Sequence, residues 1–295
     1  MATRPVAYGS DEVFVAVYQP TNPPNRYPWK RYLKSYDSEG SLNWSVEIPE
    51  WIEDYFDVFT IETDYSAVYT AQSYWEGSGG YGIRRFYKSN GALVWTSSFT
   101  SSYPPLPIFM KSYGGYLYVG GHSTAGSCPY ATIDKINIST KSLVTYYYVS
   151  TAKDMSFDVN YQGVFVAYRH STTYDIYIQK RDYNFGSVWQ LVPTKDWYRA
   201  YPQAVFVDQA GYVHVRCTEE NASGNKNFLH FVVSQSGSLL YTKRQSPAFA
   251  YDFRCTGTVK EVSLGATWGC GLLRLTPTSP QVGYISVNFP TSGPS

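Results

Sequence analysis

The chain has 295 residues, 18% of them aromatic with 30 tyrosines and only 16% charged, and its formal net charge is +1. No basic run exceeds Arg84-Arg85, so no long-range field concentrates a polyanion, and nucleic acid is not the expected partner. The longest uncharged apolar stretches are of strand length, far below the ~20 residues a membrane helix needs, and no helical stripe stands out.

From the N-terminus onward the chain repeats itself. A first unit, 4–50, opens near Arg4-Pro5-Val6-Ala7-Tyr8 and closes on the turn Tyr36-Asp37-Ser38-Glu39-Gly40-Ser41-Leu42-Asn43-Trp44. The second, 51–103, carries the same turn as Tyr87-Lys88-Ser89-Asn90-Gly91-Ala92-Leu93-Val94-Trp95. A third, 104–152, is marked by Gly115 ahead of Tyr116-Leu117-Tyr118-Val119, and a fourth, 153–198, by Gly163 ahead of Val164-Phe165-Val166 and by a turn running from Asp182 through Gly186 to Trp189. In the fifth, 199–246, Gly211 leads an apolar run and Ser234-Gln235-Ser236-Gly237 leads to Tyr241; the sixth, 247–290, has Thr276-Pro277-Thr278-Ser279-Pro280 in place of the turn, and 291–295 is a polar tail. Gly40 to Gly91 and Gly186 to Gly237 are each 51 positions, and Gly115, Gly163 and Gly211 are 48 apart.

Self-similarity at such a period identifies an array of one supersecondary unit that cannot bury its apolar face alone. Within a unit the period is two, with turn residues between runs; 203–208, 212–216, 227–233 and 238–244 are the four strands of unit five. Four short strands joined by tight turns form a propeller blade, so the expected fold is all-β, a single six-bladed β-propeller, with five or seven blades as alternatives. Trp44, Trp95, Trp189 and Tyr241 occupy matching positions on the fourth strands, where a large flat side chain packs between neighbouring blades.

Chemistry is sparse. Cys128, Cys217, Cys255 and Cys270 make no Cys-x-x-Cys pair and read as buried thiols, with a Cys217–Cys255 bridge as the alternative. His214 and His230 alternate with apolar neighbours and read as hydrogen-bonded strand histidines, while His122 and His170 sit near second-strand ends. Nucleophile elbows, zinc-protease helices and phosphate-cradling glycine loops are missing from the sequence, so no catalytic residue, cofactor or metal is expected. The candidate binding set is Trp51, Tyr55, Trp75, Glu76, Trp197 and Tyr198, drawn from loops where flat aromatics lie beside charged groups, as in Lys195-Asp196-Trp197-Tyr198-Arg199. Ring faces suit sugar C–H groups and carboxylates suit hydroxyls, and loops on a rigid scaffold are where binding residues concentrate.

The turn Asp37-x-x-Gly40-x-x-x-Trp44 resembles the PQQ-like, or quinoprotein-like, propeller repeat, and Ser35-x-Asp37 with Trp44 approaches the sialidase Asp-box. Six units without adjacent cysteines do not match the quinoprotein dehydrogenases, so neither the cofactor nor that activity is implied. The form Tyr-Asp-Ser-x-Gly-x-Leu-x-Trp-Ser looks most like propeller repeats encoded among bacteriophage virion genes. That resemblance implies a non-catalytic tail, fibre-associated or capsid-surface protein that docks to other virion proteins or binds host-surface glycan. Met1-Ala2-Thr3-Arg4-Pro5 lacks a signal peptide's apolar core, so the expected location is a virion assembled in the host cytoplasm. A glycoside hydrolase or lyase working through paired carboxylates is the enzymatic alternative, and a cellular protein-interaction scaffold is the third reading.

Overall fold

The structure, a computed structural model, describes residues 6–8, 12–20, 29–48, 59–74, 80–100, 105, 109–122, 130–194, 197–208, 210–245, 251–256, 259–264, 270–276 and 279–281. They form an all-β chain of six sheets, each built from four strands consecutive in sequence and paired antiparallel in sequence order, the pattern of propeller blades. The sheets span 6–48, 59–99, 109–149, 152–191, 199–245 and 251–281. Two compact units divide the chain, Met1–Asp154 and Met155–Ser295.

Position in the blade decides the residue pattern. The second strand of blade four, Gly163–His170, is covered on both faces and reads as an unbroken apolar run through Val164, Phe165, Val166 and Ala167. The fourth strand of blade three, Ser142–Val149, is an outer strand and alternates exposed with half-buried residues along its whole length. In unit one, Phe14, Leu33 and Ile48 of blade one meet Ile61, Val68 and Phe86 of blade two. Tyr69, Tyr81, Ile83 and Phe99 of blade two meet Leu117, Val119 and Ile136 of blade three. In unit two, Phe165, Ile176 and Ile178 of blade four meet Val205, Val215, Leu229 and Phe231 of blade five.

The repeated turn is a hairpin with a bulge. In blade one the Gly40 N–H donates to Asp37 O and the Asp37 N–H to Ser41 O, while the Asp37 carboxylate accepts from the N–H groups of Glu39 and Ser41 at 2.9 and 2.8 Å. The pairing of third and fourth strands then slips by one residue, and it does so at the equivalent place in all of the first five blades. The residue ahead of each slip has positive φ: Gly40 (87°), Gly91 (71°), Lys141 (55°), Phe185 (68°) and Gly237 (88°). Blade four therefore corrects the repeat phase read from glycines: the left-handed residue is Phe185, and from 185 to 237 is 52 positions. Phe185 is only 7% exposed, so burial of its ring offsets the strain, while Gly186 leaves room for the Asp182 carboxylate, which a Cβ there would meet at 2.5 Å.

Those glycines also receive the tryptophans. Trp44 of blade one donates its indole N–H to Lys88 O at 2.9 Å, inside the turn of blade two, and a Cβ on Gly91 would lie 2.6 Å from its Cε3. Trp189 of blade four repeats the arrangement on blade five: Nε1 donates to Gln235 O at 2.9 Å, and a Cβ on Gly237 would lie 2.8 Å from its Cδ2. Trp95 is buried between blades two and three. Tyr241 departs from the expectation for this position, since it is 49% exposed and meets His230 edge-on.

Candidate functional site

Strand direction decides which loops share an end of a blade. In blade five Arg199 opens the first strand (Arg199–Val207) opposite Glu220, the last residue of the second strand (Val213–Glu220). In blade four the third strand (Ile176–Arg181) starts where the fourth (Ser187–Leu191) finishes, Ile178 pairing with Leu191. The turn at 171–175 and the connection leading into Arg199 therefore lie at one end of the blades of unit two.

A cluster of tyrosine rings and guanidinium groups occupies that end. Arg169 lies 4.5 Å from the Tyr201 ring and 5.4 Å from the Tyr174 ring. Arg199 in turn lies 5.1 Å from Tyr174 and 5.1 Å from Tyr198. Tyr201, Arg169, Tyr174, Arg199 and Tyr198 thus form one cluster, in which Arg169 is buried (7% exposed) and Tyr198 is 50% exposed. Each ring's negative face attracts the neighbouring cation, which favours this geometry over free rotation of long side chains. A hydrogen bond with Tyr201 is the largest cause that raises the pKa of Arg199 above its ordinary value, with desolvation opposing it. The Tyr201 hydroxyl donates to Glu220 Oε2 at 3.3 Å.

The central ring is held under strain. Tyr174 has φ 60°, a conformation costly for a bulky side chain, and such strain persists where surrounding structure over-determines it. Here the Tyr174 N–H donates to His170 O, His170 Nδ1 accepts from the N–H groups of Thr172 and Thr173 at 3.3 and 3.2 Å, and the Trp197 indole donates to Tyr174 O at 3.4 Å.

Of the residues singled out from sequence, Trp51, Tyr55, Trp75 and Glu76 lie outside the described residues, as do Cys128 and the side chain of His122. Tyr198 is the exposed ring of the cluster. Trp197 is a correction: expected as an exposed sugar-stacking ring, it is 7% exposed and packs edge-on against Phe231 at 5.7 Å, in the core of blades four and five. Its role is to hold the Tyr174 carbonyl. Arg169, Tyr174 and Tyr201 were missed because they come from separate strands and a turn, and only the adjacent Tyr198-Arg199 gives a local signal.

Other polar groups are structural. Asp134 is fully buried between blades two and three, where Tyr81 donates to its Oδ2 at 2.9 Å; burial pushes its pKa up to about 7, against the smaller opposing effect of that bond. Sealed at that depth, its carboxyl cannot touch a substrate. His214 and His230 are hydrogen-bonded, as expected: Asp208 Oδ2 contacts His214 Nε2 at 3.1 Å, and His214 Nδ1 contacts His230 Nε2 at 3.1 Å. Burial, then the charges of His214, Arg216 and Lys243, lower the His230 pKa to about 4. Cys217 is a free, fully buried thiol whose pKa burial raises, so the bridge to Cys255 is not formed. Among the described residues no group of three or more His, Cys, Asp and Glu side chains could hold a metal ion, and no helix is long and apolar enough to cross a membrane.

No protein family matches the chain, and no curated protein sequence is similar to it. Solved structures do resemble it. Hydrazine synthase of Kuenenia stuttgartiensis aligns with TM-score 0.58 at 11% identity, over 91% of this chain and 75% of that one. The periplasmic gluconolactonase PpgL of Pseudomonas aeruginosa aligns with TM-score 0.53 at 11% identity, over 96% and 84%, and the Dos1 propeller with TM-score 0.51 at 11% identity, over 96% and 84%. At such identity the likeness shows the fold: the chain is a β-propeller, as its repeats indicate.

Proposed function

We propose that the chain is a non-catalytic module of a virion surface that holds host-surface glycan at the exposed Tyr198 side of the Arg169, Tyr174, Tyr198, Arg199 and Tyr201 cluster. The observation that carries this reading is the cluster itself. It fixes an exposed aromatic face beside a charged hydrogen-bond donor on rigid strands and a locked turn, so little side-chain freedom is lost on binding. The virion assignment rests on the form of the repeat, whose resemblance is to propeller proteins encoded among bacteriophage virion genes.

The test is binding of the purified, fluorescently labelled protein to intact bacteria and to their extracted surface polysaccharides, with soluble sugar products assayed in the same tubes. Saturable binding without products is expected, and Tyr198→Ala should weaken it at least tenfold, about 1.4 kcal/mol, at unchanged melting temperature. Release of products would replace the reading with a glycoside hydrolase or lyase. Binding unaffected by Tyr198→Ala would remove the cluster from it, and no binding to any host would leave docking to other virion proteins as the use of the propeller.

A further inference from the structure

We infer that the outer edge of blade three pairs with the same edge of a second copy of the chain, antiparallel about a two-fold axis, so that two four-stranded sheets join into one. The inference is independent of the glycan reading.

Charge, proline and shortness are the devices that stop an unpaired strand from taking up another. The outer strand of blade one carries Glu47, that of blade five Lys243 and Arg244, that of blade four is five residues long, and that of blade six is three residues with Pro280. Blade three has none of these devices. After the slip at Lys135/Ile136 its outer strand pairs regularly with the third strand as Thr145-Tyr146-Tyr147-Tyr148-Val149, uncharged and made wholly of β-branched and aromatic residues, which suit extended backbone. The third strand lies on one side of it, and among the described residues no strand lies on the other. Blade two's outer strand is also uncharged, but over 95–99 it exposes only Thr96 and Ser98. Thr145 stands where the other four of the first five blades place Trp44, Trp95, Trp189 and Tyr241, so blade three departs from the repeat here.

Tyr146 and Tyr148, 42% and 47% exposed, share the outward side of the strand with ring centroids 6.3 Å apart, and Tyr130 meets Tyr148 edge-on at 6.5 Å. Rings that already lean on one another lose less freedom when a partner arrives. A second copy is the occupant this edge fits. Antiparallel pairing centred on Tyr147 sets Tyr146 opposite the second copy's Tyr148, and Thr145 opposite its Val149: aromatic meets aromatic and β-branched meets β-branched, with no like charges opposed. The same patch serves both copies, so the assembly closes at two. A formal net charge of +1 sets little long-range repulsion against it.

The test is sedimentation velocity with light scattering on the purified full chain over a concentration series, in which the 33.4 kDa chain should double in mass as concentration rises. The double substitution Tyr146→Lys with Tyr148→Lys, which opposes like charges across the axis, should raise the dissociation constant about tenfold or more, and so should Tyr146→Glu with Tyr148→Glu. An equal mixture of the two variants should dimerise again as a mixed pair, which also shows that both fold. Monomer at every concentration overturns the self-pairing and leaves the edge to a strand of a different protein. A dimer that persists in the lysine variant overturns it by placing the contact on another surface, and open-ended growth overturns the closed two-fold. A mixture that stays monomeric overturns the register about Tyr147.

Discussion

If tryptophan seating in the following turn is what joins successive blades, then Gly40 and Gly91 must respond differently to the same substitution. Both have positive φ, 87° and 71°. A Cβ on Gly40 meets nothing within 4 Å, while one on Gly91 lands 2.6 Å from Trp44 Cε3 and 2.9 Å from Val46 Cγ1. Gly40→Ala therefore costs only the left-handed backbone, about 1–2 kcal/mol. Gly91→Ala adds expulsion of the indole. That loses the Trp44–Lys88 hydrogen bond, worth about 1 kcal/mol net, and the tilted contact with Phe14 at 5.8 Å, worth about 1 kcal/mol. The total for Gly91→Ala is ~3–4 kcal/mol, so the two variants should differ by ~2 kcal/mol in urea denaturation followed by tryptophan fluorescence and circular dichroism together. In a Trp44→Ala background the difference should shrink to what the Val46 contact alone costs, as coupled neighbours require. Equal losses for Gly40→Ala and Gly91→Ala, or a difference undiminished by Trp44→Ala, would refute the seating argument.

Trp197→Phe keeps most of the packing on Phe231 but removes the donor to Tyr174 O; it should cost about 1 kcal/mol in denaturation and weaken glycan binding more than Tyr161→Ala, an exposed-surface control. Asp134 has a folded-state pKa near 7 against an ordinary 3.8, so the folded chain holds its proton while the unfolded chain loses it; stability should fall as pH rises from about 4 to 7, by about 4 kcal/mol in all. Asp134→Asn keeps an acceptor for Tyr81 and should flatten that slope, read as hydrogen exchange of the 131–137 strand at several pH values. His230 shifts the other way: neutral when folded down to about pH 4, it lets the unfolded state take up protons first, so blade five should lose stability as pH falls from about 6.5 to 4. His230→Gln should remove that acid limb from the exchange of the 226–233 strand, and an unchanged limb would show that another group sets it.

The fold was legible because each blade repeats a physical requirement in a few residues. A hairpin that bulges needs a left-handed residue and an acceptor side chain to fill the turn, and each requirement leaves its own letter at a fixed spacing. The one phase error arose where two residue types meet the same need: Phe185 takes the left-handed conformation usually given to glycine, and the adjacent Gly186 answers a steric demand of Asp182. The dual use of Gly91 and Gly237, as turn residues and as seats for the preceding blade's tryptophan, could not be read from either repeat alone, since it links letters about fifty positions apart.

The candidate site was far less legible, and Trp197 shows why. Aromatic and charged residues adjacent in a loop look alike whether they face solvent or core, because sequence composition carries no sign of direction once strict alternation stops. Trp197 and Tyr198 directly precede the strand that starts at Arg199, and one step along the chain separates a buried ring (7% exposed) from one half exposed (50%). The groups that give Tyr198 and Arg199 their meaning, Arg169 and Tyr174, stand 24 or more residues earlier, on a different blade, with a strained backbone that the sequence does not announce. A repeat protein makes this separation general. The periodic letters hold blades together and recur, whereas a site at the blade ends is assembled once, from residues at unequal positions in successive repeats, and so must break the period to exist. The residues that depart from the repeat at the blade ends, rather than those that keep it, are where the specificity of such a chain is written.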